Sequence, residues 1–136
     1  MPKICVITPT YNEEGNLAEL GLKVFSFGIP NLEMVVVDDN SPDGTAKLAE
    51  ELGKKYPIKL IKRDKKEGLG TAYVAGFKEI LKEKPFDSAQ GKPDFIIQMD
   101  ADLSHNPALI PKFLEHIKLH DVVLGSRYIA GGVIEN

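Results

Sequence analysis

Met34-Val35-Val36-Val37 runs without a polar interruption straight into Asp38-Asp39. A strand with one face in water alternates polar and apolar side chains. An unbroken β-branched run instead demands cover on both faces, which a parallel sheet wrapped by helices provides. The run also predicts that whatever follows the strand sits at a carboxyl edge.

The rest of the chain repeats the alternation. Residues 3–8 read as a first strand, followed by a turn at Pro9-Thr10-Tyr11-Asn12. Residues 13–27 carry Leu17, Leu20, Val24 and Phe27 at helical spacing, with Asn12 as N-cap and Glu13 and Glu14 in the first turn. Residues 32–37 form the second strand, and Ser41-Pro42-Asp43 opens a helix with proline at its first position, burying Ala46, Ala49 and Leu52. A third strand spans residues 58–61, and a helix over residues 68–83 buries Ala72, Ala75 or Gly76, Ile80 and Phe77. A fourth strand spans residues 95–99. The helix after it, residues 107–119, is capped by Asn106 and begins late or with a distorted turn because of Pro111. Residues 121–125 read as a fifth strand, and residues 84–92 as a surface loop. Strands alternating with helices imply right-handed crossovers and a doubly wound, mostly parallel α/β sheet over residues 1–136.

Composition narrows the function classes. A chain of 136 residues, 43% hydrophobic, builds one domain with a real core. Its net charge of −3 offers no basic surface for nucleic acid. No apolar stretch approaches the length of a transmembrane helix, and no signal peptide precedes the first strand. The single cysteine, Cys5, lies in an apolar run and reads as a small buried hydrophobe, so a reducing cytoplasm is the expected compartment.

In open parallel sheets, ligands bind beyond the carboxyl ends of the strands. Four such ends carry polar residues: Pro9 to Glu13, Asp38 to Ser41, Asp100-Ala101-Asp102 and Ser126-Arg127-Tyr128. Asp100 and Asp102, one residue apart, turn toward a common point, where without a cation they would only repel. Hard oxygen donors in that number suit Mg²⁺ or Mn²⁺ completed by substrate phosphates. The alternative is an acidic loop capping the next helix. Tyr11 can stack on a base or merely pack its loop. Strand alternation lets only one of Asp38 and Asp39 face the crevice; Asp39 is nearer the rim, leaving Asp38 to orient the loop. Glu13 is either a dipole partner of the first turn or a ligand group. Arg127 is a surface ion-pair residue or a clamp on phosphate oxygens. Gly68-Leu69-Gly70 is assigned to packing, His116 and His120 to an exposed helix end, and His105 to the loop near the metal.

Together PTYNEEGNL, VVVDDNSPDGT, GLGTA, MDADLSHNP and GSRY resemble the dolichol-phosphate mannose synthase group of the inverting glycosyltransferases. The resemblance runs from Lys3 to Tyr128 and implies the glycosyltransferase-A fold. It implies nucleotide-sugar contacts from Pro9, Tyr11, Glu13, Val37 and Asp39, a diphosphate and metal at Asp100, Ala101 and Asp102, and a phosphate contact from Arg127, with Asp102 and Arg127 catalytic. The implied donor is GDP-mannose, the acceptor a polyprenyl phosphate at a membrane surface, and the location the cytoplasmic face of a membrane. A phosphate acceptor already carries negative charge, so no general base is required. Two departures stand out: a longer segment over residues 84–93, and an ending at Asn136 where such domains continue toward acceptor-side segments. The chain is therefore expected to be the nucleotide-sugar-binding part, inactive in transfer by itself.

Rival readings remain open: another inverting transferase using UDP-glucose or a glycan acceptor, a non-catalytic nucleotide-sugar-binding fragment, and a phospho-acceptor receiver domain. The receiver fits worst. Its acidic pair should end the first strand, it needs no second acidic pair, and its strand-end lysine is missing.

Overall fold

The computed structural model describes residues 1–82 and 91–132. Strands β1 (Ile4–Thr10), β2 (Leu32–Asp38), β3 (Ile58–Lys62) and β4 (Phe95–Gln98) form one sheet in the order β3-β2-β1-β4, all neighbours parallel. Between them run helices α1 (Glu14–Phe25), α2 (Thr45–Leu52) and α3 (Leu69–Ile80). After β4 come a single 3₁₀ turn (Pro107–Leu109) and α4 (Ile110–His116).

Side-chain alternation along the strands builds two cores. Ile4 and Val6, Met34 and Val36, and Ile97 face α1, α2 and α4, packing on Leu17, Leu20, Val24, Ala49 and Ile110. Cys5, Ile7, Val35 and Val37 face the other way, onto Ala72 and Ile80 of α3. The chirality of the crossovers explains this division. Stepping from β1 to β2 to β3 in one direction places α1 and α2 on one face. The return past β1 to β4 reverses direction and places α3 on the opposite face. The sheet is doubly wound as the sequence pattern implies, and its reversal point lies between β1 and β4.

That seam opens toward its carboxyl end. The β1–β4 ladder runs from Ile4↔Phe95 to Ile7↔Gln98 and closes with the Met99 N–H donating to the Ile7 carbonyl. Beyond it stands Pro9, still paired in register with Val37 of β2. Backbone groups alternate sides along a strand, so the nitrogen of Pro9 points toward β4, where pairing has already ended. Proline is thus tolerated in a central strand, and β1 extends through Pro9 and Thr10, the first two residues that the sequence assigns to a turn.

Several expected boundaries move for identifiable reasons. Ser41 gives both its N–H and its hydroxyl to the Asp38 carboxylate, at 2.9 and 2.6 Å, so it closes a turn and does not open a helix. Helix α2 starts at Thr45 instead, where the Asp43 carboxylate accepts the Thr45 N–H at 2.9 Å. Helix α1 begins at Glu14, with Asn12 displaced from the cap into a left-handed turn (φ 58°) and Phe27 exposed beyond the helix end. Gly76 is buried on α3, while Ala75 and Phe77 are half-buried. Asn106 does cap the turn after β4, accepting the Ala108 N–H, and that helix opens with a 3₁₀ turn before Pro111.

The fifth strand does not form. Residues 121–125 lie without a ladder partner, leaving Val122 70% and Leu124 83% exposed. An apolar run becomes a strand only where a neighbour accepts its hydrogen bonds, and among the described residues β4, four residues long, has β1 as its one ladder partner. Most of the loop expected over residues 84–92 falls outside the described residues, as does Glu83.

Candidate functional site

The loops leaving β1, β2, β3 and β4 lie at one edge of the sheet, and the first three are tied to one another. The Asn12 N–H donates to Ser41 Oγ at 3.0 Å, and the Glu13 N–H to Thr45 Oγ1 at 2.9 Å, joining the first loop to the second. Asn40 Nδ2 donates to the Asp64 carbonyl at 3.1 Å, joining the second to the third. Left-handed non-glycine residues mark three of these loops: Asn12, Asn40 and Leu103 (φ 65°). Such conformations cost energy and persist only where surrounding contacts hold them.

Asp38 and Asp39 divide their work as strand alternation implies. Asp38 is buried and wholly occupied in orienting its loop, accepting from Thr10 Oγ1 at 2.8 Å as well as from Ser41. Asp39 turns toward the third loop, where Arg63 Nη1 approaches its Oδ1 at 3.0 Å and the Glu67 N–H approaches its Oδ2 at 3.4 Å. The Asp39–Arg63 approach is misaligned: both atoms are buried and neither has a hydrogen-bond partner among the described residues. Charge alone couples them there. The other guanidinium nitrogen, Nη2, donates to Glu67 Oε2 at 2.8 Å and Thr71 Oγ1 at 3.0 Å. Next to this cluster the Tyr11 ring is 38% exposed, with Lys66 Nζ 3.9 Å above its centroid, well inside cation–π range. Arg63 and Lys66 escape sequence reasoning because they follow an inconspicuous short strand. Their one signal is a basic run at a strand's carboxyl end.

Past β4 the chain turns at Ala101-Asp102. Ala101 is buried in the α1-side core, with Asp100 half-buried and Asp102 exposed on either side of it. Leu103 anchors its side chain against the same core while its backbone turns left-handed. This reversal brings Ser104 back onto Asp102, whose Oδ1 accepts from the Ser104 N–H at 3.0 Å and hydroxyl at 2.6 Å. Those bonds, the hydroxyl first, hold the Asp102 carboxyl below the usual carboxylate range. Asp100 Oδ1 accepts from Tyr73 Oη at 2.7 Å, and the Asp100 N–H donates to His105 Nδ1 at 3.1 Å. Burial, and then the hydrogen bond to Asp100, push the Tyr73 phenol far above its ordinary range, so it stays a donor.

This donor set fits a hard divalent cation. Each aspartate has one oxygen taken by a protein donor, and the Oδ2 atoms accept no hydrogen bond among the described residues; His105 Nε2 stands 3.8 Å from Asp100 Oδ2. No group of three or more His, Cys, Asp or Glu side chains converges among the described residues. Two carboxylate oxygens alone leave most of an octahedral shell to water and phosphate, which is how Mg²⁺ is ordinarily held.

The other expected site residues are placed as follows. Pro9 and Val37 are buried in the floor, with Val37 under Gly76 of α3. The Glu13 carboxylate accepts from Asn16 Nδ2 at 2.8 Å, within its own first turn. Arg127 lies exposed on the segment after α4 and has no hydrogen bond or ion pair among the described residues, so no contact joins it to the acidic triplet. Tyr11, Asp39, Asp100 and Asp102 thus follow strands at the same carboxyl edge, but among the described residues no hydrogen bond or ion pair joins the Tyr11–Asp39 group to the Asp100–Asp102 turn, or Arg127 to either.

The chain is 48% identical over 98% of its length to the dolichol-phosphate mannosyltransferase of Pyrococcus furiosus, covering 36% of that protein. It is 38% identical over 98% of its length to the undecaprenyl-phosphate mannosyltransferase of Micrococcus luteus, covering 52% of that protein. The chain therefore spans between about a third and about half of these relatives. Among solved structures, S. aureus TarS 1–349 in complex with UDP-GlcNAc aligns over 74% of the chain and 26% of TarS at TM-score 0.57 and 29% identity. The mannosyltransferase PcManGT from Pyrobaculum calidifontis, in complex with GDP-Man and Mn²⁺, aligns over 57% of the chain and 24% of its own at TM-score 0.50 and 28% identity. These neighbours share the glycosyltransferase-A fold. The family model of glycosyl transferase family 2 matches residues 5–136, and the chain belongs to that family.

Proposed function

We propose that this chain supplies the donor-nucleotide and metal-binding half of an inverting transferase that moves mannose from GDP-mannose to a polyprenyl phosphate. The observation that carries the reading is the pair of Asp100 and Asp102 carboxylates just past β4, beside the β1–β4 seam. On the same rim lie an exposed aromatic face at Tyr11 and the buried Asp39–Arg63 pair. The printed names of the curated relatives supply the acceptor class, and the PcManGT complex supplies the donor and metal.

In this reading Tyr11 stacks on the guanine once Lys66 leaves its face, and Asp39, steadied by Arg63, accepts hydrogen bonds from base or ribose. Asp100 and Asp102 would hold Mg²⁺ or Mn²⁺. When bound, the cation neutralises charge developing on the leaving diphosphate. Arg127, exposed on the segment after α4, would offer its guanidinium to the phosphate oxygens. An oxygen of the acceptor phosphate attacks the anomeric carbon as the bond to the donor diphosphate breaks, releasing GDP with inversion. Because the attacking phosphate is already ionised, the protein needs only to position two anions and keep them from repelling each other. The partner is then a membrane-borne lipid phosphate; no helix among the described residues is long and apolar enough to cross a membrane.

Calorimetry with GDP-mannose, UDP-glucose and UDP-GlcNAc, each with Mn²⁺ and with EDTA, tests the reading. GDP-mannose should bind tightest, and EDTA should weaken it at least tenfold. Preference for a uridine donor, as the TarS complex would favour, replaces the donor assignment. Equal binding in EDTA removes the metal from Asp100 and Asp102.

A further inference from the structure

We propose that Tyr73 is a positioning residue for the cation site: from helix α3 it fixes the rotamer of Asp100 and so sets metal affinity without touching the metal. The inference rests on the metal reading above and extends it to a residue outside the acidic loop.

Asp102 is steadied only by Ser104, two residues along in the same loop, so its restraint moves with the loop. Asp100 is different. Its carboxylate is bound by Tyr73, 27 residues earlier, on the helix that covers the opposite face of the sheet. Tyr73 is itself seated. Its ring stacks on Phe77 at 6.4 Å between centroids, and it lies one turn before Gly76 on the same face of α3. Gly76 lets α3 come so close to the sheet that a Cβ there would stand 2.9 Å from Ile7 and 3.2 Å from Val37. The phenol is therefore referenced to β1 and β2, the most buried part of the molecule, and not to the loop it restrains.

The geometry also assigns the oxygens. Tyr73 takes Oδ1, and His105 Nδ1, necessarily the unprotonated ring nitrogen, takes the Asp100 N–H. Backbone and carboxylate of Asp100 are both held, and Oδ2 is presented to a cation as a single-oxygen ligand. Partners of this kind, bonded to a ligand rather than to the metal, commonly change metal affinity by about ten- to a hundredfold.

The test is titration of Mn²⁺ into the whole chain with GDP or UDP present, followed by the electron paramagnetic resonance of free Mn²⁺. It compares the parent chain, Tyr73→Phe and Asp102→Asn. Phenylalanine keeps the ring against Phe77 and deletes only the hydroxyl. The expected result is a loss of Mn²⁺ affinity in Tyr73→Phe of about tenfold or more, with nucleotide affinity in EDTA and the melting temperature unchanged. If Tyr73→Phe binds Mn²⁺ like the parent while Asp102→Asn does not, the positioning role is wrong and the metal site stands. A joint fall of melting temperature and EDTA-insensitive nucleotide affinity would make Tyr73 a packing residue and overturn the inference. Failure of the parent chain to bind Mn²⁺ with either nucleotide would overturn the metal reading and this inference with it.

Discussion

Cys5 shows how a single environment fixes the chemistry of a side chain. It is fully buried between the sheet and α3, and burial, with Glu33 adding to it, pushes the thiol from 9.0 up to about 12. The native protein should therefore resist Ellman's reagent at pH 8 and react only on unfolding; rapid native labelling would contradict the packing. The sign of the linkage follows. A thiol raised in the folded state stays protonated after the unfolded thiol has ionised, so the unfolded chain binds fewer protons and stability falls with rising pH. That loss begins near pH 9 and continues to about pH 12. Cys5→Ala should flatten this alkaline slope in urea melts, while lowering stability at neutral pH through the lost volume. At this scale the sequence draws attention to Asp100 and Asp102 but does not by itself separate a cation site from an acidic loop that caps the next helix. It separates Asp38 from Asp39 by alternation alone. It does not reveal Arg63 or Tyr73, whose importance comes from tertiary approach to Asp39 and Asp100. The spacing Tyr73 to Gly76 was the one available hint, a polar-tipped aromatic on the buried stripe of a helix.

Among the elements, α3 is the one whose seating the site depends on. It alone covers its face of the sheet among the described residues, and Gly76 permits its approach to Ile7 and Val37. Gly76→Val should cost about 1–3 kcal/mol by overpacking, read as a lower urea midpoint with an unchanged slope; an unaltered midpoint would mean that the helix can lift without penalty. The strands and helices β1 to β4 and α1 to α4 were legible because each carries its own period and burial demand. Their ends were less so. Ser41 looks like a helix start in sequence, but the neighbouring Asp38 carboxylate claims both its donors. The run Val122-Val123-Leu124 looks like a strand, yet a strand is a relation between two segments, and only one of them is visible in a local pattern.

Across the whole molecule, stability is graded from the centre of the sheet outward. β1 and β2 share the longest ladder and are buried along nearly all their length, whereas β4 bonds on one side and residues 121–132 expose Leu124 and Tyr128. Hydrogen exchange should follow that gradient, slowest at amides of residues 5–8 and 34–37 and fastest beyond Leu119; uniform protection would refute it. The doubly wound topology itself was readable before any coordinates, because covered strands and intervening helices leave few other arrangements. The location of the cleft was not, since it depends on where two neighbouring strands stop exchanging hydrogen bonds. Here the answer comes down to one ring. Pro9 has no proton to offer on the side where β4 would otherwise continue alongside it, so the rung that would follow the Met99–Ile7 bond lacks its donor. An imino acid at that spot withholds one rung of the seam as a covalent property of the chain, independent of whatever later fills the gap.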